Sequence, residues 1–293
     1  MIRLCAPTDE AAYMLDEAIE LMTKNNIHLA EIRDIDGINV LDMTNEQLDD
    51  FYARLKDADI DVWSISSPVG KRDLNVPISE FKNRMSRAIN AAKHFHANNI
   101  RVFSFFDYEG KTEEVVGRLQ LCVDMAKEEG MTVSLENEKG SFAQTCETTQ
   151  YLLDEIDDIK FVYDSSNFIQ VGVPAKQTID ALLDRAFFVH FKDGVHAHDD
   201  ADICPVGLGE AHIDELLCKI DRDMVLSLEH HLLFATDDFP ESAGNPRPYN
   251  SVKGSCEYVY KSISDAFNDA CLHARKALEG AGYKETENGC FLK

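Results

Sequence analysis

This sequence has no CxxC pair, no apolar run approaching the length of a membrane span, and no third glycine after Gly207-Leu208-Gly209 to complete a dinucleotide fingerprint. Each absence removes a class of protein. The eight cysteines, at 5, 122, 146, 204, 218, 256, 271 and 290, are scattered through a chain too large to need disulfides, which predicts reduced thiols and a cytoplasmic location. Met1-Ile2-Arg3-Leu4-Cys5-Ala6 is too short and turns polar too quickly to read as a secretory leader. No segment is apolar enough to enter a bilayer. Basic residues are scarce: Lys and Arg total 29 against 53 Asp and Glu, a formal charge of −24. Such a chain repels phosphate backbones and anionic membranes, so neither nucleic acid nor membrane is expected as a partner. A local basic pocket for a small anion remains compatible with that balance.

What the chain does contain is a steady succession of strand-like runs. They begin near Ile2, His28, Ile60, Ile100, Met131, Lys160, Phe187 and Met224. Their mean interval is about 32 residues, close to one strand-helix unit. Amphipathic stretches lie between them, among them 11–23, 81–94 and 113–127, and a last helix is expected over 256–278. Thr44 with Glu46 and Gln47, and Thr112 before Glu113 and Glu114, read as helix starts. With 44% hydrophobic residues and 293 positions, the pattern predicts a (β/α)8 TIM barrel as a single domain over residues 1–293. A doubly wound open sheet is the alternative. The polar loop 237–252, directly after the eighth strand, is expected to cover the barrel mouth.

Four consecutive runs end in a metal-ligand side chain: Val133-Ser134-Leu135-Glu136, Phe161-Val162-Tyr163-Asp164, Phe187-Phe188-Val189-His190 and Val225-Leu226-Ser227-Leu228-Glu229. Strand alternation turns each of these side chains inward, with Ser134, Phe188 and Ser227 on the same faces. In parallel barrel strands all four converge on one mouth, where barrel enzymes carry their chemistry. A lone carboxylate there is costly to bury, and coordination removes the cost. Three carboxylates and an imidazole exclude a thiolate site and suit one divalent ion: Mn²⁺, Mg²⁺, Co²⁺ or Zn²⁺. The competing roles are ordinary ones: solvent-reaching glutamates for Glu136 and Glu229, a loop cap for Asp164 with Ser165 and Ser166, and a core histidine for His190.

The segments Leu135-Glu136-Asn137-Glu138, Tyr163-Asp164-Ser165-Ser166-Asn167, Val189-His190-Phe191-Lys192-Asp193-Gly194, Val206-Gly207-Leu208-Gly209 leading to Ile213-Asp214, and Leu226-Ser227-Leu228-Glu229 resemble the xylose isomerase-like barrel superfamily of sugar-phosphate isomerases and epimerases. The resemblance covers essentially the whole chain, with ligand spacings of 28, 26 and 39 residues by subtraction. It implies one divalent metal held by Glu136, Asp164, His190 and Glu229. Similarity to the ketose 3-epimerases implies that Glu136 and Glu229 also move the proton. One departure is Asn167, where many relatives carry a histidine.

Further mouth residues follow from position. Glu31 and Arg33 share a face of strand two, Lys71 follows strand three, Lys192 lies two residues beyond His190, and Arg247 sits in the loop after strand eight. All five are expected to contact substrate hydroxyls or an anion, with a solvated surface as the other role of the cations. Phe103, Phe105 and Phe106 are expected to pack rather than to stack on a sugar. His196, His198, Asp199, Asp200 and Asp202 crowd one loop and read as a solvated acidic stretch, with a second metal site as the alternative. Gly207-Leu208-Gly209 reads as a turn before the seventh helix.

The resulting expectation is a metal-dependent isomerase or epimerase of a small sugar, working through an enediolate. The alternatives are a lyase or dehydratase acting on a keto-inositol or sugar acid, and a non-catalytic sugar-binding barrel. A metal-dependent apurinic nuclease shares the fold, but the −24 charge and Asn167 argue against it. Association into a homo-oligomer is compatible with the family.

Overall fold

A computed structural model describes residues 1–197, 200–232, 258 and 260–293. Eight parallel strands close a barrel: β1 (Ile2–Pro7), β2 (Leu29–Ile32), β3 (Asp61–Ser66), β4 (Asn99–Val102), β5 (Thr132–Glu136), β6 (Lys160–Asp164), β7 (Ala186–His190) and β8 (Met224–Ser227). Each pairs with the next in sequence, and β8 pairs with β1 through Met224 to Ile2 and Ser227 to Cys5. That last pairing makes the sheet a closed barrel rather than an open doubly wound one. The strands begin within one residue of their expected starts.

Helices α1 (Leu15–Lys24), α2 (Asn45–Asp57), α3 (Ile78–His94), α4 (Thr112–Lys127), α5 (Cys146–Glu155), α6 (Ala175–Leu182), α7 (Ile213–Lys219) and α8 (Ile263–Gly280) surround it. Thr44 caps α2 in a reciprocal box with Gln47. Two boundaries differ from expectation. The stretch 11–23 is broken, because Ala12 is extended (φ −160°) between a short helix at Thr8–Ala11 and α1. Thr112 lies inside α4, whose cap position is Lys111 without a side-chain bond. α8 begins after Ser262, which accepts from Asp265 N. The expected start of that helix at residue 256, like the loop 237–252, lies outside the described residues.

The barrel interior is layered. Its base is apolar: Cys5, Leu29, Val162, Phe188 and Val225 cluster with Trp63, whose ring stacks on Phe187 at 5.3 Å. Above that layer, Asn99 Nδ2 donates to Ser64 Oγ (2.8 Å) and Ser134 Oγ (3.0 Å). Charged side chains follow at the C-terminal ends of the strands. The outer faces, including Leu135, Tyr163, Val189, Leu226 and Leu228, bury against the helices in the main core. Beneath the barrel, a hairpin formed by Lys284–Glu285 and Cys290–Leu292 adds antiparallel to the start of β1, with Phe291 opposite Ile2. Among the described residues, no helix is long and apolar enough to cross a membrane.

Candidate metal centre

The four strand ends bring Glu136, Asp164, His190 and Glu229 together. One ligand atom from each lies within 4.8 Å of the others, and all four residues are buried. Glu136 and Asp164 close β5 and β6, His190 closes β7, and Glu229 lies two residues beyond β8. Leu228 N donates to Cys5 O (2.8 Å), which carries the inward alternation past the last ladder residue. His190 Nδ1 faces the oxygens, at 3.0 Å from Glu136 Oε1, 3.2 Å from Glu229 Oε2 and 3.8 Å from Asp164 Oδ2.

Asp164 performs the capping role as well. Its Oδ1 accepts from Asn167 N (3.0 Å) and starts the helix Ser165–Gln170, leaving Oδ2 for the cluster. Asp164 Oδ2 lies 2.7 Å from Lys192 Nζ as an ion pair, yet finds no aligned hydrogen bond. A buried oxygen with unused lone pairs, among two more carboxylates and an imidazole, fits a hard or borderline divalent cation.

Each glutamate is gripped by an arginine. Arg101 Nη1 donates to Glu136 Oε2 (2.8 Å), and Arg33 Nη1 donates to Glu229 Oε1 (2.7 Å). Arg33 also reaches Asp9 Oδ2 (2.7 Å) and Glu10 Oε1 (2.9 Å). Glu10 in turn accepts from His231 N (2.9 Å) and pairs with His231 Nδ1 (2.6 Å). Glu10, Glu229 and His231 form a second cluster of potential ligand atoms, with Arg33 on both of its carboxylates.

Burial works against ionised carboxylates, but the surrounding cations prevail. Lys192, His190 and His231 outweigh burial at Glu229 and hold its carboxyl well below the usual range. Burial likewise opposes charge on His190, and Glu136, Glu229 and Glu31 raise its imidazole well above its usual value. Asp164, Glu229 and Glu136 keep the buried Lys192 ammonium charged in the same way.

The remaining expected contacts have protein partners. Lys192 Nζ reaches Glu229 Oε2 and Asn167 Oδ1, both at 3.1 Å. Asn167 Nδ2 donates to Glu136 Oε1 (3.2 Å), so this side chain bridges Glu136 and Lys192. Lys71 pairs with Glu138 (3.0 Å) and lies over the Phe103 ring. Glu31 is fully buried beneath His190. Arg247 lies outside the described residues. Gly70 must adopt φ +82° where its loop runs against the Phe103 carbonyl, which fixes the base of the Lys71 turn.

Phe105 packs on Phe81, whereas Phe103 supports the Arg101 guanidinium at 4.1 Å. Asp200 and Asp202 belong to a hairpin, Asp193–Ala197 with Asp200–Cys204, and His196 Nδ1 contacts Ile169 O. No metal cluster includes them among the described residues; His198 and Asp199 are not described. Gly207 and Gly209 do form a turn, both donating N–H to Asp193 Oδ2.

Arg101, Glu10 and His231 are site residues that the sequence reading missed. Arg101 had a signal, since it shares the inward face of β4 with Asn99 and a buried charge in an apolar strand demands a partner.

The sequence matches the xylose isomerase-like TIM barrel over residues 17–238. The chain belongs to that family. No curated protein matches it by sequence. Among solved structures, this xylose isomerase-like barrel is similar to the IolI protein with a bound zinc atom (17% identity, TM-score 0.68, 95% of this chain and 99% of that one). It is also similar to an L-ribulose 3-epimerase (13%, 0.68, 96% of each chain). A third is the probable 3-DHS dehydratase AsbF of Bacillus anthracis (18%, 0.62, 76% of this chain and 92% of that one). At these identities the likeness is one of fold.

Proposed function

We propose that this xylose isomerase-like barrel, acting as one domain, is a divalent-metal-dependent isomerase or epimerase of a small sugar or sugar derivative. The observation that carries the reading is the convergence of Glu136, Asp164, His190 and Glu229 from consecutive strand ends into one buried cluster. These four would hold the ion, and Mn²⁺, Mg²⁺, Co²⁺ and Zn²⁺ all suit the donor set. When bound, such an ion supplies charge that polarises a substrate carbonyl and acidifies the neighbouring C–H.

Glu136 and Glu229 are assigned the proton. One takes it from the α-carbon, leaving an enediolate, and the other returns a proton to the opposite face or the adjacent carbon. Arg101 and Arg33 hold each carboxylate in place through charge-assisted hydrogen bonds. Lys192, Lys71 and Arg33 offer N–H donors to substrate oxygens, with Arg247 as a further candidate. The likeness to an L-ribulose 3-epimerase supports a ketose as substrate.

The test is hydrogen exchange. Ketoses are incubated in D₂O with the Mn²⁺-loaded protein and with chelator-treated protein. Metal-dependent deuterium uptake at a carbon next to the carbonyl is expected. No uptake across a broad ketose panel would sink the reading. A dehydratase working through the same enediolate is the second reading, supported by the likeness to the probable 3-DHS dehydratase; a product lighter by one water, seen by mass spectrometry, identifies it.

A further inference from the structure

Glu31 is fully buried, and both of its oxygens are directed at groups inside the barrel. Oε2 accepts from the Ser66 hydroxyl. Oε1 faces His190 Nε2 across 3.4 Å, and neither of those two atoms has a hydrogen bond elsewhere among the described residues. The opposite ring nitrogen, Nδ1, is the one turned toward Glu136, Glu229 and Asp164. A neutral imidazole ligates a cation through one lone pair and carries its proton on the other nitrogen. A carboxylate at Nε2 stabilises the proton there, which leaves the Nδ1 lone pair for the cluster and raises its basicity.

We propose that Glu31 is a positioning residue for the metal centre, selecting the Nε2–H form of His190 so that Nδ1 binds the ion. This rests on the metal-centre reading above. It replaces a substrate contact as the role of Glu31, because the carboxylate lies under His190 rather than at the mouth. Ser66 acts one step further out, fixing the Glu31 carboxylate from β3.

The test uses Zn²⁺ alone, titrated against a chromophoric chelator, on the wild type, Glu31→Gln and Ser66→Ala. The wild type is expected to bind one Zn²⁺ per chain. Glu31→Gln should weaken binding by roughly 10–100-fold, and Ser66→Ala by less. In the ¹⁵N-labelled, Zn²⁺-loaded wild type, His190 should show a slowly exchanging, strongly downfield Nε2–H signal. That signal should be absent in His190→Gln and should exchange rapidly in Glu31→Gln. Equal Zn²⁺ affinity of Glu31→Gln and wild type would overturn the proposal, as would a proton found on Nδ1 of His190 in the Zn²⁺-loaded wild type. The wild-type spectrum decides the matter even if Glu31→Gln does not fold. A wild type that binds no Zn²⁺ would overturn the metal-centre reading and this proposal with it, whereas normal binding with an indifferent Glu31 would overturn the proposal alone.

Discussion

Arg101 Nη1 and Glu136 Oε2 lie 2.8 Å apart, with the two side chains only 3% and 1% exposed. The same guanidinium donates to Ser66 O (3.1 Å) and rests on Phe103. Removing one partner of a buried pair strands the other charge. Arg101→Met should therefore destabilise the metal-free protein by about 3–5 kcal/mol, read as a lower urea midpoint. Added Zn²⁺ should restore part of the loss, because a cation again neutralises Glu136.

Glu229→Gln, assayed at saturating metal because the same carboxylate belongs to the proposed metal set, tests the proton role. The amide keeps the shape and can still accept from Arg33, but it cannot take a proton. Turnover should fall on the order of 10²–10⁴-fold, as expected for loss of a general base. Far-UV circular dichroism should keep its shape, while the melting temperature should fall, because the neutral amide leaves the Arg33 and Lys192 charges less fully paired. Ligand affinity retained alongside wild-type turnover would reject the assignment.

Metal uptake should depend on pH, with the sign set by His190. Its imidazole is held protonated by Glu136, Glu229 and Glu31 despite burial, so its pKa is raised. Below that raised value a cation must displace the proton to reach the ring. Affinity should therefore climb with pH, by about tenfold per unit while one proton is released. Calorimetry in buffers of different ionisation enthalpy counts that proton.

Glu10 makes a separate contribution to stability. Burial opposes its charge, but His231, His230 and Arg33 outweigh it and push the carboxyl well below its ordinary value of 4.5. A depressed folded-state pKa stabilises above the unfolded value and loses that contribution as the pH falls. Stability should thus decline below about pH 4.5, and Glu10→Gln should flatten that part of the profile while lowering the neutral plateau. Urea titrations at a series of pH values measure both.

Asp193 accepts backbone N–H bonds from Gly194, Gly207, Gly209 and Ala211, tying the turn before α7 to the end of β7. A Cβ at Gly209 would collide with the Asp193 carboxylate and the Gly194 carbonyl. Gly209→Ala should cost about 1–3 kcal/mol by overpacking, visible as a lower melting temperature.

The barrel was legible because a period of two along each strand is a strong signal. Ser134 with Glu136, Phe188 with His190 and Lys192, and Ser227 with Glu229 all fall on inward faces. Glu136, His190 and Glu229, with Asp164, could be named from their equivalent places at the ends of consecutive strands, together with the family resemblance. The break at Ala12 was not legible, since its apolar spacing continues the helical pattern on both sides and only the extended backbone interrupts it. The pairing of Glu10 with His231 spans 221 residues and left no local trace. Glu31 could be placed on an inward face, but which nitrogen of His190 it meets depends on the register of β2 against its neighbours. The pairing of Asp193–Ala197 with Asp200–Cys204 was hidden by its polarity, because in sequence these residues look like a solvated loop.

The small hairpin under β1 has a practical meaning. Residue 1 is tethered through its amino group to Asp223, and residues 290–292 lie alongside Ile2 and Arg3, so both chain ends described here emerge at the floor of the molecule. An affinity handle, a fluorophore or a surface linker attached at either end would point away from the rim, leaving the opposite entrance open to solution.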